Sequence, residues 1–418
     1  MQLDERGLVV TSEIRLAVER LDRAAATFAA HRADASLNLA AALEADPGLA
    51  VGHCFSGVFQ LLLARPELVP PAERSLALAR AALAERGGTP REHGLETALA
   101  RWCAGDMRGA AERLDHVLEE EPLDLMTGKV LHTLRFMIGD AAGMRRSAGR
   151  QLARWPKTAP ARGYLLGWLG FSLGETGDLV GAERLGRQAV EEAPDDIWGC
   201  HAVVHVYEMQ HQPATGLAWL AHHADRWAAV NNFARHLHWH HALYHLRRRE
   251  FDAVLAIYDA RIRDERTEDY RDMANAISLL RRLEAEGVAV GGRWEELATL
   301  AEARQADHVL VFAELHRLMA MVGAKRHEAA ARQLAEMERW ARLGTGTQAE
   351  IETEIGIALA RRILALAPDD GDNEAALRTF LPRIGGSRVQ RQIFERLLGP
   401  SPARDWSAAP RRAANTDF

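Results

Sequence analysis

The feature that most constrains the fold is a glycine–aspartate pair that recurs between helical patterns. The pairs begin at Gly105, Gly139 and Gly177, so their spacings are 34 and 38 residues. A proline follows at the same two intervals, as Pro122, Pro156 and Pro194. Glycine permits the tight turn and proline ends the second helix. A helix–turn–helix unit of about 34 residues that closes in proline is the tetratricopeptide pattern. The clearest repeats are therefore predicted over residues 91–196.

The remaining chain is also predicted to be helical. Alanine, leucine, glutamate and arginine dominate, and apolar residues recur at three and four positions, as at Ala35, Leu39 and Ala42. No alternating strand pattern is convincing. We therefore expect an all-α, tetratricopeptide-like solenoid that curls around a concave pocket and has no sheet. It would form one domain over residues 1–398, with a linker at 66–71 and a mobile tail at 399–418.

Composition excludes several function classes. The 418 residues are 48% hydrophobic and 26% charged, with a net charge of −6 and no basic patch, so a nucleic-acid partner is not expected. No apolar run is long enough to cross a membrane, and the N-terminus lacks the pattern of a secretion signal. The cysteines are odd in number and widely spaced, at Cys54, Cys103 and Cys200, which indicates buried thiols in a reduced, cytoplasmic setting.

Histidines are concentrated in the middle of the chain. Ten of the 18 lie between His201 and His245. His201 and His205 are four residues apart and share one face of a predicted helix at 197–210; His236 and His240 repeat this spacing at 233–247. A further helix is predicted at 214–228. If it is the second helix of its repeat, the other two are successive first helices, and their histidine faces lie about 8–10 Å apart across a groove. The same pocket is expected to include Trp198, Glu208, Trp239 and His316.

These motifs resemble the tetratricopeptide repeat protein 38 family. The resemblance rests on His201-Ala-Val-Val-His-Val-Tyr-Glu, on His236-x-x-Trp-His-x-Ala-Leu-Tyr, on Phe312-x-x-x-His, and on Gly385-Gly-Ser-x-x-Gln-Arg. It covers roughly residues 30–400, and the family-like core is 160–398. The resemblance implies a helical-repeat fold and supplies no settled activity.

The histidine pattern allows three kinds of chemistry. Two histidines at i and i+4 with a carboxylate form a ligand set for zinc, iron or manganese, and the metal candidates are His201, His205, His236 and His240. Ala202 stands where a metalloprotease motif needs glutamate. Without a metal, the same residues could act as acid and base, with His205, Glu208 and His240 as the catalytic candidates. Alternatively, the rings fill space in the core.

Two functions are compatible with these patterns. In the first, the protein binds a small polar ligand or a peptide through His201, His205, Glu208, His236, Trp239, His240 and His316. In the second, it is an enzyme that uses the same cluster, with or without a divalent transition metal, for acid–base, hydrolytic or oxidative chemistry on a small molecule. Repeat scaffolds more often bind than catalyse, which places binding first. A pure scaffold explains the cluster least well, and the oligomeric state, including a homodimer, stays open.

One further motif has two interpretations. Gly385-Gly386-Ser387 opens a predicted helix whose backbone N–H groups could hold an anion, with Arg391 one turn later on the same side. Simple capping of the helix by Ser387 is the favoured interpretation.

Overall fold

The computed structural model describes residues 1–227, 230–366 and 374–399, and within them the protein is all-α as expected. The expected absence of a sheet fails at the N-terminus. There β1 (Gln2–Leu3) and β2 (Val9–Val10) pair antiparallel, with Gln2 opposite Val10. The carboxylate of Asp4 accepts the Leu8 N–H at 2.8 Å, and Gly7 supplies a φ of +83° for the turn. Strands of two residues are too short for an alternating pattern to reveal them.

Twenty-two α-helices occupy the described ranges. In chain order they are α1 (Arg15–Ala29), α2 (Ala35–Ala45), α3 (Ala50–Leu61), α4 (Val69–Arg86), α5 (Pro90–Cys103), α6 (Met107–Glu120), α7 (Leu125–Met137), α8 (Ala141–Arg154), α9 (Arg162–Glu175), α10 (Leu179–Glu192), α11 (Ile197–Met209), α12 (Pro213–His222), α13 (Phe233–Arg247), α14 (Phe251–Ile257), α15 (Tyr270–Ala285), α16 (Arg293–Glu302), α17 (Val311–Gly323), α18 (His327–Leu343), α19 (Thr347–Ile351), α20 (Ile357–Ile363), α21 (Glu374–Phe380) and α22 (Arg388–Glu395). Short 3₁₀ turns cover Pro66–Leu68, Ala224–Trp227, Leu381–Ile384 and Arg396–Leu398, and π turns cover Tyr258–Ile262 and Glu352–Gly356.

The recurring glycine–aspartate pairs join α5 to α6, α7 to α8, and α9 to α10. Each glycine has a positive φ, from +70° to +96°, which a residue without a Cβ adopts without strain. Each aspartate then caps the following helix by accepting a backbone N–H three residues on. These bonds run from Gly109 to Asp106, from Gly143 to Asp140, and from Gly181 to Asp178. The predicted helix pairs of residues 91–196 are present, and each proline stands two residues beyond the second helix.

Glycines on α9 let this helix approach its neighbours closely. A Cβ at Gly170 would lie 3.1 Å from the backbone nitrogen of Gly186 on α10. A Cβ at Gly167 would lie 3.0 Å from the backbone of Gly199 on α11. Substitution by any larger residue would therefore push the helices apart, which explains why small residues occur at this spacing.

Two sequence predictions need correction. The segment 66–71 is not a linker, because α4 already begins at Val69 and places Pro70 and Pro71 in its first turn. The first N–H groups of a helix have no intrahelical partner, so proline is tolerated there. The helix expected at 214–228 ends as α12 at His222 and continues as a 3₁₀ turn. Most of the tail predicted at 399–418 lies outside the described residues.

Helices from distant parts of the chain meet around the middle of the sequence. α11 packs against α9, α12 and α13, and α13 packs in turn against α15. α22, near the C-terminus, packs against both α11 and α15. The guanidinium of Arg282 on α15 donates to the Val389 carbonyl of α22 at 2.7 Å. This arrangement encloses the faces of α11 and α13 that carry the histidines. No helix in the described ranges has both the length and the apolar character needed to cross a lipid bilayer.

Candidate functional site

Four histidine side chains converge between α11 and α13. His201 and His205 are on α11, His236 and His240 are on α13, and none is more than 8% exposed. One ring nitrogen of each can be chosen so that all four atoms lie within 4.8 Å of one another. We call these residues the four-histidine cluster. The i, i+4 spacing puts each pair on one helix face, and the packing of the two helices brings the faces together.

Two hydrogen bonds fix how α13 lies against its neighbours. The hydroxyl of Tyr244 donates to the Val204 carbonyl at 2.8 Å, between the two histidines of α11. The indole N–H of Trp239 donates to the Ser278 hydroxyl of α15 at 3.0 Å. The ring of Trp239 also stacks on His236, with ring centroids 5.1 Å apart. Large rings that are fully buried and hydrogen-bonded hold a helix in a single register.

His201 is at the centre of the cluster. Its Nε2 lies 2.9 Å from Nε2 of His205 and 3.0 Å from Nε2 of His236. An imidazole nitrogen carries either one hydrogen or one lone pair in the ring plane. It can therefore form one good hydrogen bond with only one of these two neighbours. Hydrogen bonding within the cluster leaves one of the two short contacts unsatisfied.

His236 is held by an amide on α15. Its Nδ1 lies 2.9 Å from the side-chain oxygen of Asn275, which is 1% exposed. An amide oxygen only accepts hydrogen bonds, so Nδ1 must carry the hydrogen. In the neutral ring, Nε2 then has a lone pair that points towards His201. Asn275 thus selects the tautomer of His236.

His205 faces a buried carboxylate. Its Nδ1 lies 3.8 Å from an oxygen of Glu175, the last residue of α9. Glu175 accepts the backbone N–H of Arg388 at 2.8 Å and pairs with the Arg391 guanidinium at 3.3 Å. Burial raises the pKa of Glu175, while Arg391 and the Arg388 N–H act to lower it. The N-terminus of α22 therefore binds the Glu175 carboxylate of the protein itself, and Ser387 caps the helix as favoured from the sequence.

His240 packs against the other three rings and is fully buried. Its ring centroid is 5.2 Å from His201, 4.7 Å from His205 and 4.8 Å from His236. Neither of its nitrogens has a hydrogen-bond partner among the residues that the structure describes. A buried polar nitrogen without a partner costs about 1–3 kcal/mol of stability. An apolar side chain at this position would fill the core without this cost.

Burial keeps the cluster uncharged at neutral pH. It lowers the pKa values of His201, His205 and His240 well below 6.5, and neighbouring histidines add to the effect. Burial also lowers the pKa of His236 to about 4, although the bond to Asn275 opposes this shift. Neutral imidazoles have free lone pairs, which is the form that binds metal ions and accepts protons.

A cavity of about 110 Å³ adjoins the cluster. His201 and His236 form part of its wall. His205 and His240 are not among its lining residues in the described chain. The other lining residues come from several stretches of sequence between residues 31 and 390. They include His31, Trp198, Phe233, Tyr270, Arg271 and Asn275. The lining contains no aspartate or glutamate within the described ranges, so Arg271 is its one formally charged side chain.

A buried lysine supports the cavity wall. The ammonium nitrogen of Lys129 on α7 lies 2.6 Å from Nε2 of His31 and 4.5 Å from the centre of the Trp198 ring. Burial lowers the pKa of Lys129 to about 7, although the Asp196 carboxylate opposes this shift. His31 stacks on Trp198 with a 2° angle between the ring planes. This contact joins the N-terminal helices to α11 across the cavity.

Three of the residues proposed from the sequence lie outside the cavity lining. Glu208 is buried and accepts from the guanidinium of Arg247 at 2.6 Å. His316 on α17 donates from Nδ1 to the Phe312 carbonyl at 2.7 Å. Trp239 supports His236 from its far face. None of the three lines the cavity in the part of the chain that is described.

Sequence reasoning missed four polar residues around the site. They are His31, Lys129, Glu175 and Asn275. Each is near the cluster only through tertiary packing. Asn275 did carry a signal, because it interrupts the apolar run Met273–Leu280 on a helix face that is otherwise buried. Polar residues in such runs are buried only with a hydrogen-bond partner.

A second histidine pair on α13 provides a contrast. His241 and His245 have the same i, i+4 spacing, and their Nε2 atoms are 3.2 Å apart. His245 also pairs with Glu250 at 2.5 Å, near the surface. This pair belongs to no group of three or more metal-binding side chains in the described ranges.

The fold and site define an all-α protein with four buried histidines beside a small, mainly apolar cavity. A comparison with protein-family models found none that matches the chain.

Proposed function

We propose that the protein binds a small polar molecule in the cavity next to the four-histidine cluster. The composition of the cavity wall is the observation that supports this proposal most directly. It combines the buried polar rings of His201 and His236 with the buried amide of Asn275 among aromatic side chains. Enclosed apolar pockets with a few fixed polar groups are the usual form of a small-molecule site.

The size of the cavity favours a small molecule over a peptide. At about 110 Å³ it is somewhat smaller than cavities of roughly 150 Å³ that accommodate benzene. A ligand of a few non-hydrogen atoms fits this volume. Arg271 already pairs with Asp269 at 2.6 Å, and the described lining has no carboxylate to attract a cation, so a neutral ligand is favoured.

Catalysis is the second candidate, and a specific contact favours it. Glu175 lies against Nδ1 of His205, while Asn275 sets the tautomer of His236. Oriented, neutral histidines near a cavity can exchange protons with a bound molecule. A Glu175→Gln variant would test this candidate: an activity found for the wild type should fall while ligand affinity stays within a few-fold.

A matched pair of variants tests ligand binding. Thr133 lines the cavity, and its hydroxyl donates to the carbonyl four residues earlier; Thr97 makes the same bond on α5, away from the cavity. Small polar compounds would be screened by thermal shift and isothermal titration calorimetry. We expect Thr133→Phe to abolish binding and Thr97→Phe to preserve it. Equal loss in both variants, or ligands that bind both normally, would contradict a site in this cavity.

A further inference from the structure

We propose that the four-histidine cluster is a binding site for one divalent first-row transition-metal ion, of the class that includes zinc, cobalt and iron. The inference rests on the proposed function in one respect, because it assigns the same cluster a binding role. It goes beyond that function in naming a metal as the primary occupant, with the small molecule as its neighbour.

The first support is the hydrogen-bonding conflict at His201. Its Nε2 has two nitrogen neighbours, at 2.9 and 3.0 Å, and one in-plane site with which to bond them. A cation between the nitrogens removes the conflict, because each ring then directs a lone pair at the ion instead of at another nitrogen. The same ion would satisfy one of the two unpaired nitrogens of His240.

The second support is the polar group found next to the outer nitrogen of His236 and of His205. A histidine that binds metal through one nitrogen usually donates its other N–H to a carbonyl or carboxylate. His236 does this with Asn275, whereas Nδ1 of His205 makes no hydrogen bond among the described residues but lies 3.8 Å from the Glu175 carboxylate. Both arrangements leave Nε2 free and directed into the cluster. Asn275 and Glu175 come from different helices, α15 and α9, so two independent elements favour the same tautomer.

The third support is distance. Nitrogens bound to zinc lie about 2.0–2.1 Å from it, so the separation of two ligands is about 2.8–3.4 Å at octahedral or tetrahedral angles and at most about 4.2 Å. The cluster already holds its closest pairs at 2.9 and 3.0 Å, whereas the widest separation among the four atoms, up to 4.8 Å, exceeds that upper limit. Small rotations of the rings complete the site.

The ligand type selects the class of ion. Four neutral imidazoles suit zinc, copper, iron, cobalt or nickel, whereas magnesium and calcium require oxygen ligands. Two of the four histidines also form the cavity wall, so a bound ion would lie at the edge of the space proposed for the small molecule. An oxygen or nitrogen atom of that molecule could then complete the coordination.

The test uses the full-length protein without a histidine tag. Protein treated with a chelator would be loaded with zinc or cobalt(II), passed through a desalting column and subjected to elemental analysis. We expect about one ion per chain and, with cobalt, visible bands of nitrogen coordination. His205→Ala should lower the bound metal at least tenfold. His241→Ala, which alters the second histidine pair on the same helix, should retain it.

Two results would overturn the metal site: wild-type protein that retains neither zinc, cobalt nor iron(II), or equal metal loss in His205→Ala and His241→Ala. If His205→Ala does not fold, x-ray absorption of the wild type replaces it. Four histidine nitrogens are expected around the ion, with or without one further oxygen or nitrogen ligand, and fewer than four would contradict the proposal. The ligand screen repeated on chelator-treated protein separates the two proposals, because ligands that bind without metal would leave the cavity function standing.

Discussion

Nε2 of His201 and Nε2 of His236 lie 3.0 Å apart, although the two residues are 35 positions apart in the sequence and on different helices. This short contact connects the two histidine faces into one cluster. A chain that used these positions only for packing would gain more from leucine or phenylalanine, which bring no buried nitrogen into the core. The contact is therefore consistent with the proposed binding role.

Replacing His240 should stabilise the metal-free protein. Both of its nitrogens are buried and unpaired within the described structure, so His240→Leu should raise the free energy of unfolding of chelator-treated protein by about 1–3 kcal/mol. It should also abolish metal binding. Urea unfolding monitored by circular dichroism measures the first effect, and elemental analysis measures the second.

His132 on α7 provides the matched control. It too is buried with neither nitrogen paired among the described residues, but it packs against Trp168 and Phe171 outside the cluster. His132→Leu should be similarly stabilising and should retain the metal. A loss of more than about 2 kcal/mol in His240→Leu would mean that its ring is needed for packing, and would count against a binding role.

The ion pair between Glu175 and Arg391 should be important for stability. Both side chains are at most 9% exposed, so removing one partner leaves the other charge buried. We expect Arg391→Leu to lower the free energy of unfolding by about 3–5 kcal/mol. Arg339→Leu, which breaks a half-exposed pair with Glu336 on α18, should cost less than about 1 kcal/mol. Similar losses in the two variants would show that the buried pair has no special role.

His316 should make the protein less stable in mild acid. Burial lowers its pKa from 6.5 to about 4, and nearby Arg282 adds to the shift, although the bond to the Phe312 carbonyl opposes it. The folded protein thus keeps His316 neutral between pH 6.5 and 4, whereas the unfolded chain binds a proton there. The free energy of unfolding therefore has its full value above pH 6.5 and falls by about 3 kcal/mol as the pH decreases to 4.

Unfolding in urea at pH 7 and pH 4.5 would measure this effect. The loss of stability between the two pH values should be smaller in His316→Leu than in the wild type by about 2–3 kcal/mol. An identical loss in both proteins would mean that His316 titrates normally.

The repeated aspartate caps should each stabilise their helices by a similar amount. Asp106→Ala, Asp140→Ala and Asp178→Ala each remove one bond to a backbone N–H and should cost about 1 kcal/mol. Gln212 also precedes a helix but makes no side-chain cap bond, so Gln212→Ala should change stability by less than about 0.5 kcal/mol. Thermal unfolding of the four variants would check this, and a cost for Gln212→Ala equal to the others would contradict it.

Local patterns predicted the helices that carry the site well. The boundaries expected for α13 match the structure, and α11 ends one residue earlier than expected. The i, i+4 spacing placed each histidine pair on one face because helix geometry depends only on neighbouring residues. The cluster itself could be expected once the two helices were assumed to be adjacent.

Residues that act through tertiary contacts could not be found in this way. Glu208 shares α11 with the histidines, but it is three residues past His205 and reaches Arg247 on α13 instead. Glu175 and Asn275 approach the cluster from α9 and α15, and nothing in their local sequence specifies that packing.

Anomalous scattering from crystals of the full-length protein, purified without a chelator, would decide whether the four-histidine cluster holds a metal ion. Data collected above and below the absorption edge of the metal found by elemental analysis would locate that ion. We predict one anomalous peak about 2.1 Å from a nitrogen of each of His201, His205, His236 and His240. Four rings bonded only to one another, with no peak among them after zinc loading, would contradict the metal site and leave the cluster as part of the core.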